Sequence, residues 1–425
     1  MTGNTESLNA DRVRKRIFLG WWILAAGAFI NAVGIGIVHQ GFTVFFLPLK
    51  RELTLSSAAV SLVYGCSRLE GGVEGPLIGY LIDKFGPKRL IFFGSMLAGI
   101  GYVLLSRVES FTEFFIVYVF FIALGANAGF FHPVSTVINN WFIRRRGLAF
   151  GFLTAAVSLG GMITAPLLSH LILNYSWRVA AMFASGTLFI LLLPVSFIMF
   201  RTPEEKGLQP DGDPQQRENK SNQDNSGPSA FSGIDFTVKE ALRTGAFWLL
   251  TLCISLRILV TIALTAHMIP VLVWKGMDEG SAAYMVSMYA FMTIIGMLVM
   301  GWIGDRFNKT LLCSASMLVS LLCLLWPTFS ASRASLYLFP IGMAITMASV
   351  PLNWSLIGDF FGRQNYATLR GITVTGVGIA TFISPIYAGW IYDVTESYSI
   401  VLISFSAMLL VAAALFAVLR PPAMR

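Results

Sequence analysis

Arginine and glutamate seldom stand inside a long apolar run, because a charge at a bilayer's centre costs at least about 2.5–3.5 kcal/mol. The stretch SRLEGGVEGP (67–76) nevertheless places Arg68, Glu70 and Glu74 within a run from Leu55 to Ile82. Arg257 stands in another, residues 245–274. A guanidinium in such surroundings can hold a carboxylate through two parallel hydrogen bonds. A buried carboxyl or a histidine can carry a proton. These are the chemistries of anion binding and proton coupling. No P-loop, H-E-x-x-H, dinucleotide fingerprint or nucleophile elbow accompanies them, so no enzymatic activity is expected. No metal or other cofactor is expected either.

Spacing sorts these groups into faces. Ser57, Ser61, Tyr64 and Arg68 recur along one side of a helix, whereas Glu70 and Glu74 share a different side, since two residues turn a helix by about 200°. One face then lines a cavity, and the other packs on a neighbour through Gly71, Gly75 and Gly79, a small-xxx-small pattern. Glu70 and Glu74 either pair with that neighbour or carry a proton. Arg257 leads a polar stripe with Thr261 and Thr265 near the expected midplane. It either meets a substrate or pairs with an acid such as Glu70 or Glu74. His39, His132 and His267 are candidate proton carriers, with hydrogen-bonded structural roles as the alternative; His170 lies near a helix end. Asn31, Asn127 and Asn353 either line a cavity or bridge helices.

The elements that position these residues are membrane helices. The 425-residue chain is 56% hydrophobic and 12% charged, against about 25% charged in soluble domains. Twelve apolar runs reach the roughly 20 residues a span needs: 18–48, 55–82, 89–107, 112–141, 146–174, 178–200, 245–274, 281–304, 310–330, 334–361, 366–392 and 398–419. The first follows Arg12, Arg14, Lys15 and Arg16 and is too long for a signal peptide. The net charge of +8 resides mostly in segments assigned to the cytoplasm, which puts both termini there. The charge is topogenic, and no nucleic-acid partner is expected. Cys66, Cys253, Cys313 and Cys323 lack metal-ligand spacing and read as small buried residues.

A polar stretch divides the chain into residues 1–200, a largely disordered cytoplasmic linker over 201–243, and residues 244–425. Within the linker TVKE (237–240) predicts a capping box opening a short surface helix. The halves read as repeats: GYLIDKFGPKRL (79–90) follows span two and GWIGDRFNKTLL (301–312) follows span eight. In this loop Gly79 and Gly86 permit close approach and a tight turn. Asp83 caps a neighbouring helix or pairs with a base, and Lys88 and Arg89 hold the loop in the cytoplasm. Asp305 and Arg306 occupy the second copy.

Both copies resemble the signature loop of the major facilitator superfamily, a resemblance covering essentially the whole chain. It implies an all-α membrane fold of twelve transmembrane helices in two pseudo-symmetric six-helix bundles, moving a solute by alternating access. WFIRRRGLAFGFLTAAVSLGG (141–161), DFTVKEALRTGAFWLL (235–250) and GDFFGRQNYATLRG (358–371) are similar to monocarboxylate porters and oxalate/formate exchangers. The chain departs from both at their substrate residues: span eight has no base, and 371–392 contains no lysine.

The resemblance implies a secondary transporter of a small organic anion, foremost a monocarboxylate. It is expected to be proton-coupled, monomeric and in the cytoplasmic (inner) membrane. Arg257, Arg68, Asn31, Tyr64, Asn127, Thr261 and Asn353 are its candidate binding residues. Anion exchange and efflux of amphipathic compounds are the alternatives. A receptor would need an output module, for which the linker is too short and polar.

Overall fold

In lipid every backbone polar group must be satisfied within the protein, which leaves helices as the economical answer for long apolar runs. A computed structural model describes residues 18–55, 57–212, 235–330 and 333–422, and among these all regular structure is helical. The basic N-terminal cluster and linker residues 213–234 lie outside the described residues. So do the side chains of Ser57, Ser61 and Arg68.

Twelve long helices follow in order. The first half has α1 (Leu19–Phe46), α2 (Ser57–Phe85), α3 (Pro87–Leu105), α4 (Phe111–Trp141), α5 (Arg146–Asn174) and α6 (Trp177–Ser196). The second has α7 (Gly245–Ala266), α8 (Glu279–Gly304), α9 (Lys309–Phe329), α10 (Leu336–Phe361), α11 (Tyr366–Thr395) and α12 (Ser399–Val418). Among the described residues eleven helices are long and apolar enough to cross a membrane. The helix outside that set is α2. Its 29 residues reach about 44 Å at 1.5 Å each, but Arg68, Glu70, Glu74, Asp83 and Lys84 dilute its apolar character.

The two most extensive seams between the halves run where α2 lies along α11 and α5 along α8. Glycine makes both possible. A Cβ added at Gly75 of α2 would sit 2.8 Å from the Gly371 carbonyl oxygen of α11. One at Gly147 of α5 would sit 2.7 Å from the Gly301 carbonyl oxygen of α8. Gly79 is closed in equally by Ala367, whereas Gly71 faces the Asn127 side chain of α4. The small-residue stripe therefore packs mainly on the other half.

Three helices contain π-turns: Gly36–Gln40 in α1, Tyr118–Ala123 in α4 and Leu188–Leu192 in α6. In α1 the Tyr102 and Tyr118 hydroxyls donate to the Ile37 and Val38 carbonyls, each at 3.1 Å, and so occupy acceptors within the irregular turn. His39 lies in this turn. Two other helices are broken. α4 kinks at Phe130 (φ −109°, ψ −98°) and resumes as Phe131–Trp141. α10 is interrupted at Ser349 and resumes as Val350–Phe361. Pro133 and Pro351 occupy the first turns of the resumed segments, where a missing N–H forfeits no intrahelical bond.

Both ends of the linker are built into the fold. Asp211 accepts from the Ile143 and Arg144 amides at 2.9 and 2.8 Å, ordering the turn before α5. Asp235 accepts from the Arg363 and Gln364 amides at 2.6 and 3.1 Å, ordering the equivalent turn before α11. The capping box expected at Thr237 and Glu240 is present and opens the helix Val238–Arg243.

Candidate substrate and coupling sites

Arg257 is the largest polar side chain wholly inside the second half, 1% exposed. Its Nε and Nη1 have no hydrogen-bond partner among the described residues. The ion pair with Glu70 or Glu74 does not form: Glu74 instead accepts from the Asn127 amide at 2.8 Å. Tyr289 of α8 and Cys313 of α9 lie within electrostatic reach of the guanidinium. Cys313 Sγ contacts Asn353 Oδ1 at 3.6 Å, and Asn353 Nδ2 has no partner among the described residues. Buried polar groups are ordinarily paired, whereas Arg257 and Asn353 keep open N–H groups here. The Thr261 hydroxyl donates to the Arg257 carbonyl within the helix, at 2.8 Å. Thr265 lies 3.4 Å from the Tyr289 hydroxyl.

In the first half Asn31 is wholly buried with both amide atoms unpartnered. Tyr64 stacks on Phe42 with ring centroids 4.6 Å apart. Glu70 and Glu74 interact with one another, and one Glu70 oxygen is buried without a hydrogen bond. Among the described residues the cluster is two carboxyls and the Asn127 amide. His267 is fully engaged inside its own half. Its Nδ1 lies 3.0 Å from the Tyr398 hydroxyl and its Nε2 3.2 Å from the Pro385 carbonyl oxygen.

The signature loops join the halves. Gly86 adopts φ +86° between α2 and α3, a conformation that strongly favours glycine. Asp83 accepts from the Thr368 amide and hydroxyl at 2.9 and 2.6 Å, capping α11. Asp305 accepts from the Gly147 and Leu148 amides at 2.6 and 2.8 Å, capping α5. Each carboxylate meets the positive end of a helix in the opposite half. Arg306 lies over Trp302 at 3.8 Å, and Arg89 is exposed.

Several residues at this end escaped the sequence reading. Asp359 receives Arg146 at 2.5 Å from the other half and Lys309 at 2.6 Å from its own. Arg363 makes two hydrogen bonds to Glu204, at 3.1 and 3.3 Å. Partial burial alone would raise the Glu204 carboxyl, but the Arg363 bonds outweigh it and hold the group below its usual range.

Arg370 is 2% exposed. Its guanidinium lies over Phe131 at 4.6 Å and Trp354 at 4.5 Å, and its Nη1 sits 2.7 Å from His132 Nδ1. The sequence signal was TLRG between apolar neighbours, one turn inside α11.

The Major Facilitator Superfamily model matches residues 24–373 and 268–425, and the chain belongs to that family. It is a multi-pass membrane carrier, not an enzyme. It is 24% identical over 407 residues to monocarboxylate transporter 13 of Rattus norvegicus, covering 92% of this chain and 86% of that protein. It is 26% identical over 250 residues to the oxalate:formate antiporter of Oxalobacter formigenes, covering 59% and 53% respectively. The fold is similar to the E. coli fucose:proton symporter, with a TM-score of 0.71, 16% identity, and coverage of 94% of this chain and 98% of that one.

Proposed function

We propose that the chain carries a small organic anion, foremost a monocarboxylate, across the cytoplasmic membrane together with a proton. Arg257 carries this reading: a buried guanidinium with unpaired N–H groups and no carboxylate beside it. Holding an unpaired cation in such a place costs several kcal/mol, a cost an incoming carboxylate offsets. Relatives named for monocarboxylate, oxalate and formate support the cargo class. Co-transport with a proton makes the load neutral and avoids about 2.3 kcal/mol per charge per 100 mV. Both bundles, as residues 1–200 and 244–425, rock about the site as a monomer, with the termini in the cytoplasm. Glu70, Glu74 and His39 remain candidates on the proton path.

Uptake of radiolabelled monocarboxylates by proteoliposomes, with and without an inward proton gradient, tests this. A carboxylate is expected to enter, faster under the gradient. Export of amphipathic cations with no carboxylate uptake would overturn the reading. The exchanger variant would appear as carboxylate movement requiring a carboxylate on the opposite side.

A further inference from the structure

Arg370 and His132 meet across the two halves, and the helix breaks bring them there. His132 and Phe131 follow the kink in α4, Trp354 follows the interruption in α10, and Arg370 lies one turn into α11. The guanidinium has no acceptor atoms, so the 2.7 Å contact requires His132 Nδ1 to offer its lone pair. In this state the imidazole is neutral and carries its proton on Nε2. The two aromatic rings leave the guanidinium edge for hydrogen bonding, and its Nε has no partner among the described residues.

Among the described residues, most of the surrounding charged and titratable groups have contacts of their own. Helices α1, α2, α3, α5 and α11 pack against this stretch of α4. On α2, Glu74 is bonded to Asn127 and interacts with Glu70, and Asp83 caps α11. On α5, Arg146 is paired with Asp359. On α11, the Tyr366 hydroxyl donates to the Trp354 carbonyl at 3.3 Å. His39 lies in the π-turn of α1, Lys88 is placed over Phe197, and Arg89 is exposed on α3. Arg370 is the charge that acts on His132.

Depth separates this pair from Arg257. The Thr251 and Thr373 hydroxyls lie 3.4 Å apart and set α7 and α11 level. With a 1.5 Å rise per residue, Arg370 then lies roughly 13 Å closer than Arg257 to the signature-loop end.

Resting on the carboxylate reading above, we infer that Arg370 and His132 form a second carboxylate station, where His132 takes up one proton for each carboxylate held. The proton binds His132 Nδ1, which stops accepting from Arg370 and becomes a donor. A carboxylate then bridges the two, one oxygen facing Nδ1–H and the other the guanidinium. The station's net charge is the same before and after loading. Proton alone sets two cations against each other, and carboxylate alone meets a histidine lone pair. Only the two together replace the contact that joins the halves, which ties loading to the opening of the loop end.

The test uses the purified full-length chain in proteoliposomes with labelled formate, acetate and L-lactate. Accumulation under an inward gradient of one pH unit is compared with counterflow, which needs no proton. The parental chain is expected to accumulate carboxylate about tenfold, the limit for one proton per anion. His132→Gln is expected to keep counterflow and lose accumulation, its ratio falling to about one, and His132→Asn serves if the first variant misfolds. Arg370→Lys is expected to keep the ratio at a lower rate, and Arg370→Gln to lose both. Full accumulation by His132→Gln, or parental rate and ratio in Arg370→Gln, would overturn the station. Parental carboxylate movement without accumulation would overturn the proton step. No carboxylate movement by the parental chain would overturn the cargo reading itself, and this inference with it.

Discussion

A guanidinium buried without a carboxylate is the residue-level fact on which the proposed function rests, and among the described residues Arg257 and Arg370 are such groups. Arg257 was legible because it interrupts an unbroken apolar run, and that isolation survives in the structure as unpaired N–H groups. Arg370 was not legible as a site, because an arginine near the start of a span does not show in sequence what will surround it. Only the breaks in α4 and α10 bring Phe131, His132 and Trp354 around it. His267 was legible as a polar group in an apolar run, but its partners, the Tyr398 hydroxyl and the Pro385 carbonyl, come from distant helices and needed the fold. The charges at the loop end separate in function from these. Glu204 is held below the usual carboxylate range, so it contributes stability above its ordinary pKa and loses it only as pH falls through the lowered value. Its bond to Arg363 therefore stays charged at neutral and mildly acidic pH. Glu204→Gln is expected to leave the shape of the transport pH profile between about pH 5.5 and 8 unchanged, whereas His132→Gln flattens it. A profile altered by Glu204→Gln would place the titrating group at the loop instead.

At the scale of elements, the two signature loops act through helix ends. Asp83 and Asp305 each satisfy free amides of a helix in the opposite half, and a carboxylate cap of this kind is worth about 0.5–2 kcal/mol over alanine. Asp83→Ala and Asp305→Ala are each expected to shift the balance from closed toward open at this end by roughly 2- to 30-fold. Spin labels at the exposed Lys206 and Lys239 would report it as a growing long-distance population, and an unchanged distribution would contradict the cap's role. The seams carry a steric counterpart. Gly371→Leu leaves no room beside Gly75, so the same labels are expected to show the closed population lost while the protein stays folded. The glycine stripe on α2 was readable from its spacing, but its partner was not. Small-xxx-small patterns record that a backbone comes close, not which backbone. Helix breaks were likewise invisible, since proline near a helix start and proline at a kink look alike in sequence.

For the whole molecule, the hydrogen bonds joining the halves among the described residues gather at the signature-loop end, through Asp83, Asp305, Asp359 and His132. Closure there is built from many modest contacts, which suits the opening that the proposed transport cycle requires. The linker's ends share in it, because Asp211 and Asp235 order the turns before α5 and α11. The repeat and the span pattern were legible because hydropathy and signature loops are local properties. The charge network needed tertiary structure, because each ion pair joins segments far apart in the chain. The central claim is that Arg257 holds the anion in transit. Initial uptake of a labelled monocarboxylate by proteoliposomes bearing Arg257→Ala, beside the parental chain and Arg257→Lys, tests it most directly. Losing one partner of a buried, hydrogen-bonded charge pair costs about 2–5 kcal/mol, so uptake by Arg257→Ala is expected to fall about 30-fold or more, with Arg257→Lys intermediate. Uptake at the parental rate by a folded Arg257→Ala protein would contradict the account.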